Sequence, residues 1–298
     1  MTLRKPQRNG PKAVAPVPES IPIPTRLLQR ICGSDSDPVA IALCPDFERG
    51  NWRYKRLADH VFDWLPDVAL RPKERLAMLH EPHKTLAQSC RRLFDTGEPD
   101  KRGEVGEILL HAVCRQEFNT TPIVARLFYK MRTNDSVTSV DVVHILHNEH
   151  SDELELWLGE AKLYSDLNDA RYKALKSIEP LWSDDFLQEM KALVGPKIEA
   201  TESYAEALTW LFADETSLDR IVERLVIPIC IACDYPATFR TNSRTESYIS
   251  EINRELISLQ SYFRSRIPIN VKVVCIFVPM DDKEKVEQAV NNKVQAFL

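Results

Sequence analysis

Apolar and polar residues alternate along this chain with two different periods, and the changes of period mark out its elements. Residues 154–163 alternate at every second position, which puts Leu154, Leu156, Leu158, Glu160 and Lys162 on one face of a strand. Residues 137–146 form a second strand-like run, interrupted by Asp141. Helical spacing is found at residues 57–65, closed by Pro66, at 84–93, and at 104–115, where Val105, Ile108, Leu109 and Ala112 make the apolar side. Further helices are predicted at 168–178, 184–193, 204–212, 218–225 and 246–264. The run 39–44 reads as a short strand. The nearly continuous apolar runs 226–232 and 271–278 read as strands buried inside a covered sheet. Residues 123–131 fit either period, residues 95–100 are rich in turn formers, and a hairpin through 148–152 would join the two central strands.

Strands alternating with helices predict an α/β fold, a central mixed sheet flanked by helices. Residues 1–24 carry six prolines with Arg4, Lys5 and Arg8, and are expected to form a disordered tail. Residues 25–100 are expected to form an α+β N-terminal subdomain, and residues 101–298 the main core.

Composition narrows the functional classes. No apolar run approaches the roughly 20 residues of a membrane span, and no secretory leader is recognisable. Seven scattered cysteines, an odd number, suit a reducing cytoplasm better than a disulfide framework. The eight glycines form neither G-x-x-x-x-G-K-[ST] nor G-x-G-x-x-G, which removes the usual routes to ATP and dinucleotides. A net charge of −5 means that any nucleic-acid surface must be local or supplied by a partner.

The face begun by three leucines continues with a carboxylate and an ammonium. Burying such groups unpaired is costly, so they call for a partner or a metal. Asp141 and Glu160 are hard oxygen ligands suited to Mg²⁺ or Mn²⁺, and Lys162 is a cation suited to the charge of a phosphodiester transition state. Ala161 between them is small and faces the other way. The preceding helix carries Glu104 and Glu107 one turn apart, and Glu107, directly before Ile108-Leu109-Leu110, is the candidate third carboxylate.

Rival signals are weaker. Cys230 and Cys233 have C-x-x-C spacing but fall inside a strand, on opposite faces. His144, His147, Glu149 and His150 lack the spacing of a helix-borne zinc site and are expected to be a solvated hairpin. His80 and His83 flank Pro82 in a turn-like stretch. Arg171, Lys173 and Lys176, with Tyr172, could face a DNA backbone or simply solvent. No G-x-S-x-G element supports a serine hydrolase.

An acid followed by Glu-x-Lys on adjacent strands resembles the PD-(D/E)xK nucleases. More specifically, Gly103-Glu104-Val105-Gly106-Glu107-Ile108-Leu109-Leu110-His111, Val140-Asp141-Val142-Val143-His144 and Leu156-Trp157-Leu158-Gly159-Glu160-Ala161-Lys162 resemble the HamA family, the nuclease subunits of the Hachiman anti-phage defence system. Asp46-Phe47-Glu48-Arg49-Gly50-Asn51-Trp52-Arg53 and the late strand at 273–279 are similar to that family too. The resemblance implies a restriction-endonuclease-like core and a superfamily 2 helicase partner (HamB) that holds the nuclease in check until infection-associated DNA releases it. It also implies that Glu160 and Lys162 are the catalytic E-x-K and Asp141 the upstream acid. Val140 stands where the wider superfamily has proline. A catalytically silent subunit that regulates a DNA-translocating partner is the alternative, and the negative net charge suits it.

Overall fold

The computed structural model describes residues 21–36, 39–94, 103–123, 140–148, 153–194 and 204–298. Most of the proline-rich tail, the 95–100 turn, most of the 123–131 run, the start of the Asp141 strand, and Glu149 and His150 of the hairpin lie outside them.

Strands β1 (Gln29–Ser34) and β2 (Val39–Cys44) come first, followed by a two-stranded ribbon, β3 (Phe47–Glu48) and β4 (Asn51–Trp52). Four helices follow: α1 (Tyr54–Asp63), α2 (Leu65–Ala69), α3 (Pro72–Ala77) and α4 (Pro82–Phe94). Then come α5 (Gly103–Glu117), β5 (Thr121–Pro122), β6 (Val142–Asn148), β7 (Glu153–Tyr164) and α6 (Leu167–Ile178). A 3₁₀ turn leads to α7 (Asp184–Val194), α8 (Ala205–Leu211), α9 (Leu218–Val222), β8 (Leu225–Asp234), α10 (Pro236–Arg240) and α11 (Glu246–Arg264). Strand β9 (Lys272–Met280) and α12 (Lys283–Gln295) close the chain.

One seven-stranded sheet runs in the order β1-β2-β9-β8-β7-β6-β5. Its centre, β2, β9, β8 and β7, is parallel, and both margins are antiparallel. This is the central mixed sheet, flanked by helices, that the alternation of periods predicts. Strands β1 and β2, from the N-terminal segment, extend the same sheet beyond β9. Parallel strands covered on both faces must be apolar throughout, and in β8 nine of ten residues are buried.

The strands' alternate faces define two cores. Leu154, Leu156 and Leu158 point to the core beneath α6, α7 and α11, whereas Trp157 and Ala161 point to the core beneath α1, α5 and α12. Cys230 and Cys233 fall in different cores, as their spacing predicts, and all seven cysteines are free thiols. Pro228 lies in the middle of β8. The β7–β8 ladder passes from Trp157–Val226 to Glu160–Ile229 and skips the pairs between, because proline has no amide hydrogen to offer. Gly159 faces this gap, and a methyl group there would lie 2.9 Å from Leu110 and 3.0 Å from Pro228.

Several expectations need correction. Pro66 does not close a helix; it sits in the first turn of α2, where its missing N–H is no loss. Pro82 and His83 begin α4 in the same way. Leu225 belongs to β8, not to the helix before it. The pattern reading missed α12, although Val286, Val290 and Val294, four apart and fully buried, carry the signal. Among the described residues no helix is long and apolar enough to cross a membrane.

Candidate active site

Glu160 and Lys162 lie near the carboxyl end of β7, on the face that begins with the three buried leucines. Glu160 is buried, at 3% exposure, and is ion-paired with Lys162. A second hold on Glu160 comes from the Ser177 hydroxyl on α6, the helix that folds back over β7 and β8. Pattern reading missed Ser177; its only signal is its place on the helix after the E-x-K strand.

Asp141 stands at the bend directly before β6. Its amide donates to Gly159 O (3.0 Å), so it continues the β6–β7 pairing and stands across from Glu160. Its carboxylate accepts from the Ala161 amide at 2.8 Å. Val140, in place of a proline, is buried, and the Asp141 backbone bond forms without any contribution from it.

Glu107 reaches the site from α5, on the opposite face of the sheet. It is buried, and its charge acts on both Asp141 and Glu160. Glu104, one turn earlier, is half-buried, and it is the charge of Glu107 that bears on Asp141 and Glu160. Gly106 allows this close approach, with Leu163 and Ala161 3.4 and 3.6 Å from where its Cβ would stand.

Three carboxylates against one ammonium leave an excess of negative charge. Burial first, then the charges of Glu160 and Glu107, hold Asp141 well above the ordinary carboxylate range. Burial also raises Glu160, against the pull of Lys162. Burial would lower the Lys162 ammonium, but the adjacent Glu160 outweighs it and holds it above its usual value. Lys162 is thus held as a cation by Glu160, a point on which the sequence is silent.

Such a donor set suits a hard divalent ion. Among the described residues no three His, Cys, Asp or Glu side chains are grouped so as to hold a metal by themselves. Mg²⁺ does not need that: one or two carboxylates, with water and substrate phosphate completing its octahedron, are its usual protein share.

Beside the site lies a buried polar chain. Asp67 (α2) accepts from His111 Nε2 (2.7 Å) and Arg115 Nε (3.1 Å) and pairs with Arg75. His111 Nδ1 lies 3.0 Å from His144 Nε2, and His144 Nδ1 lies 2.7 Å from the Thr120 hydroxyl. Since Asp67 can only accept, His111 carries its proton on Nε2, His144 on Nε2, and Thr120 donates. This corrects the solvated-hairpin expectation for His144, which is 1% exposed. His147 is half-buried and stacks on Tyr204.

Arg171, on the helix after β7, lies over the Tyr262 ring, and Lys176 pairs with Glu179, whereas Lys173 is exposed.

A family model described as HamA matches residues 25–294. A curated protein of Escherichia coli (strain K12), Anti-bacteriophage protein A, is 31% identical over 122 residues, which cover 39% of this chain and 21% of that protein. The match thus takes in about a fifth of the relative's length.

Proposed function

The chain belongs to the HamA family, and on that footing we propose that it is a metal-dependent deoxyribonuclease of the PD-(D/E)xK type, serving anti-phage defence beside a helicase. The observation that carries the reading is the meeting of Asp141, Glu160 and Lys162 on adjacent strands, with Glu107 adding its charge.

Asp141 and Glu160 would hold Mg²⁺ or Mn²⁺, with Glu107 strengthening the field that attracts it. When bound, the ion polarises the scissile phosphate and offsets its developing charge. Lys162, kept protonated by Glu160, donates to a phosphoryl oxygen as charge gathers there. Ser177 and the Lys162 pair fix the Glu160 rotamer, and the Ala161 amide fixes that of Asp141. The missing nucleotide loop and the net charge of −5 support delivery to DNA by a partner with its own ATPase.

Incubating the purified chain with DNA and Mg²⁺, with and without EDTA, tests this. Lys162→Ala should abolish cleavage while leaving the thermal transition in place. Wild-type rates in that variant would sink the mechanism. The net charge of −5 suits the alternative, a catalytically silent subunit that regulates a DNA-translocating partner. The same assay separates the two readings.

A further inference from the structure

The β3–β4 ribbon turns through two residues, since Phe47 pairs with Trp52 and Glu48 with Asn51. Both turn residues have left-handed backbones, Arg49 at φ 51° and Gly50 at φ 78°. Such a turn favours Asn, Asp or Gly at its first position, and an arginine there is strained. Arg49 nevertheless occupies it, exposed and without an ion pair among the described residues. The turn touches the loop after α10: a Cβ on Gly50 would lie 3.6 Å from Asn242, and Arg244 pairs with Asp46 at 3.3 Å. Phe47 packs edge-on against buried Tyr248 and seats the ribbon on α11.

In α10, just before that loop, Phe239 is 72% exposed, next to Arg240, which pairs with Glu251 at 3.0 Å. Residues 46–56 and 235–246 together hold six arginines and lysines against three acids, Asp46, Glu48 and Glu246; Arg244 pairs with Asp46, Arg240 with Glu251 and Arg56 with Asp59, which leaves Arg49, Arg53 and Lys55 without an ion pair among the described residues. Both loops leave the carboxyl edge of the parallel strands, the edge toward which Lys162 lies; Lys162 is the neighbour of Ile231, three residues before β8 ends.

We propose that this edge is a track for single-stranded DNA leading to Lys162, with the exposed Arg49 and Lys55 on its phosphates and Phe239 under an unpaired base. The proposal rests on the nuclease reading for what happens to the strand, and the binding surface is tested apart from it. Exposed aromatics stack on bases that a duplex would keep paired, which favours a single strand.

The test measures anisotropy of a fluorescent single-stranded oligonucleotide against the full chain, at low salt with EDTA so that nothing is cleaved. Phe239→Ala should weaken binding about tenfold. Arg49→Gly, which suits the left-handed turn better, should keep or raise the melting temperature yet lower the slope of log affinity against log salt by about 0.7. Wild-type affinity in both variants would overturn the track, as would an equal loss by Phe239→Ala on a blunt duplex. Cleavage is read separately, with Mg²⁺ added to the wild type: a chain that binds the oligonucleotide and does not cleave it would sink the nuclease reading while the track stood.

Discussion

Asp141 holds two roles in tension. Its Oδ2 is anchored by the Ala161 amide, while burial and the charges of Glu160 and Glu107 make its ionised form costly. A carboxylate raised in the folded state favours folding when protonated and weighs against folding once pH rises through its folded value. Near neutral pH without metal, Asp141→Asn is therefore expected to raise the melting temperature, because the amide oxygen can still accept from Ala161 and carries no charge. Mg²⁺ should raise the melting temperature of the wild type but not of the variant, and the variant should not cleave DNA. A calorimetric scan with and without Mg²⁺ checks both; a variant that melts lower without metal would mean that Asp141 is structural. Such a trade of stability for chemistry is common at active sites. Gly159 is constrained differently: any side chain there meets Leu110, Pro228 and Val142, so Gly159→Ala should cost about 1–3 kcal/mol.

Helix α5 shows why some of the site was legible in sequence and some was not. Its spacing predicted a helix with one apolar side, yet every residue from Val105 to Cys114 is buried, because the sheet lies on one side and α1 and α2 on the other. Periodicity finds a helix but cannot tell which polar residues it buries. Glu160 and Lys162 were readable because they break an alternation. His111, His144 and Asp67 were not, since they meet from three distant elements and break no pattern. That chain ties α2, α5 and β6 together; α5 carries Glu107, and Asp141 directly precedes β6. Removing Asp67 would leave the half-buried Arg75 and Arg115 without their shared carboxylate, so Asp67→Ala is expected to lower stability by about 3 kcal/mol, seen in the urea midpoint. Burial, helped by Arg115 and Arg75, pushes His111 down to about 3. An unfolded histidine takes up its proton near pH 6.5, so the unfolded state binds more protons between those values and stability falls as pH drops through that window. The slope owed to His111 approaches about 1.4 kcal/mol per pH unit, and His111→Gln should flatten the pH dependence of the midpoint.

Across the whole molecule, the mixed sheet and its two helical layers were evident from the order of periods. The short margins β1 and β5 were not, since two to six residues carry too little pattern. The acidic chain has a local basic edge but no nucleotide loop, which fits control from outside. Expression with and without the proposed helicase partner in uninfected cells is expected to give chromosomal damage only without it; equal damage would show that the partner exerts no restraint. One feature of the sheet bears on how such control reaches the site. Strands tied to neighbours on both sides are stiff, but at Pro228 the tie between β7 and β8 is missing, one residue before Glu160. At that point β7 keeps its ladder to β6 alone, through the Asp141 amide on Gly159 O. Seating an ion and a phosphate would draw the Asp141 and Glu160 oxygens together, and with one ladder in place of two such a shift of β7 would leave β8 and β9, paired throughout, where they are.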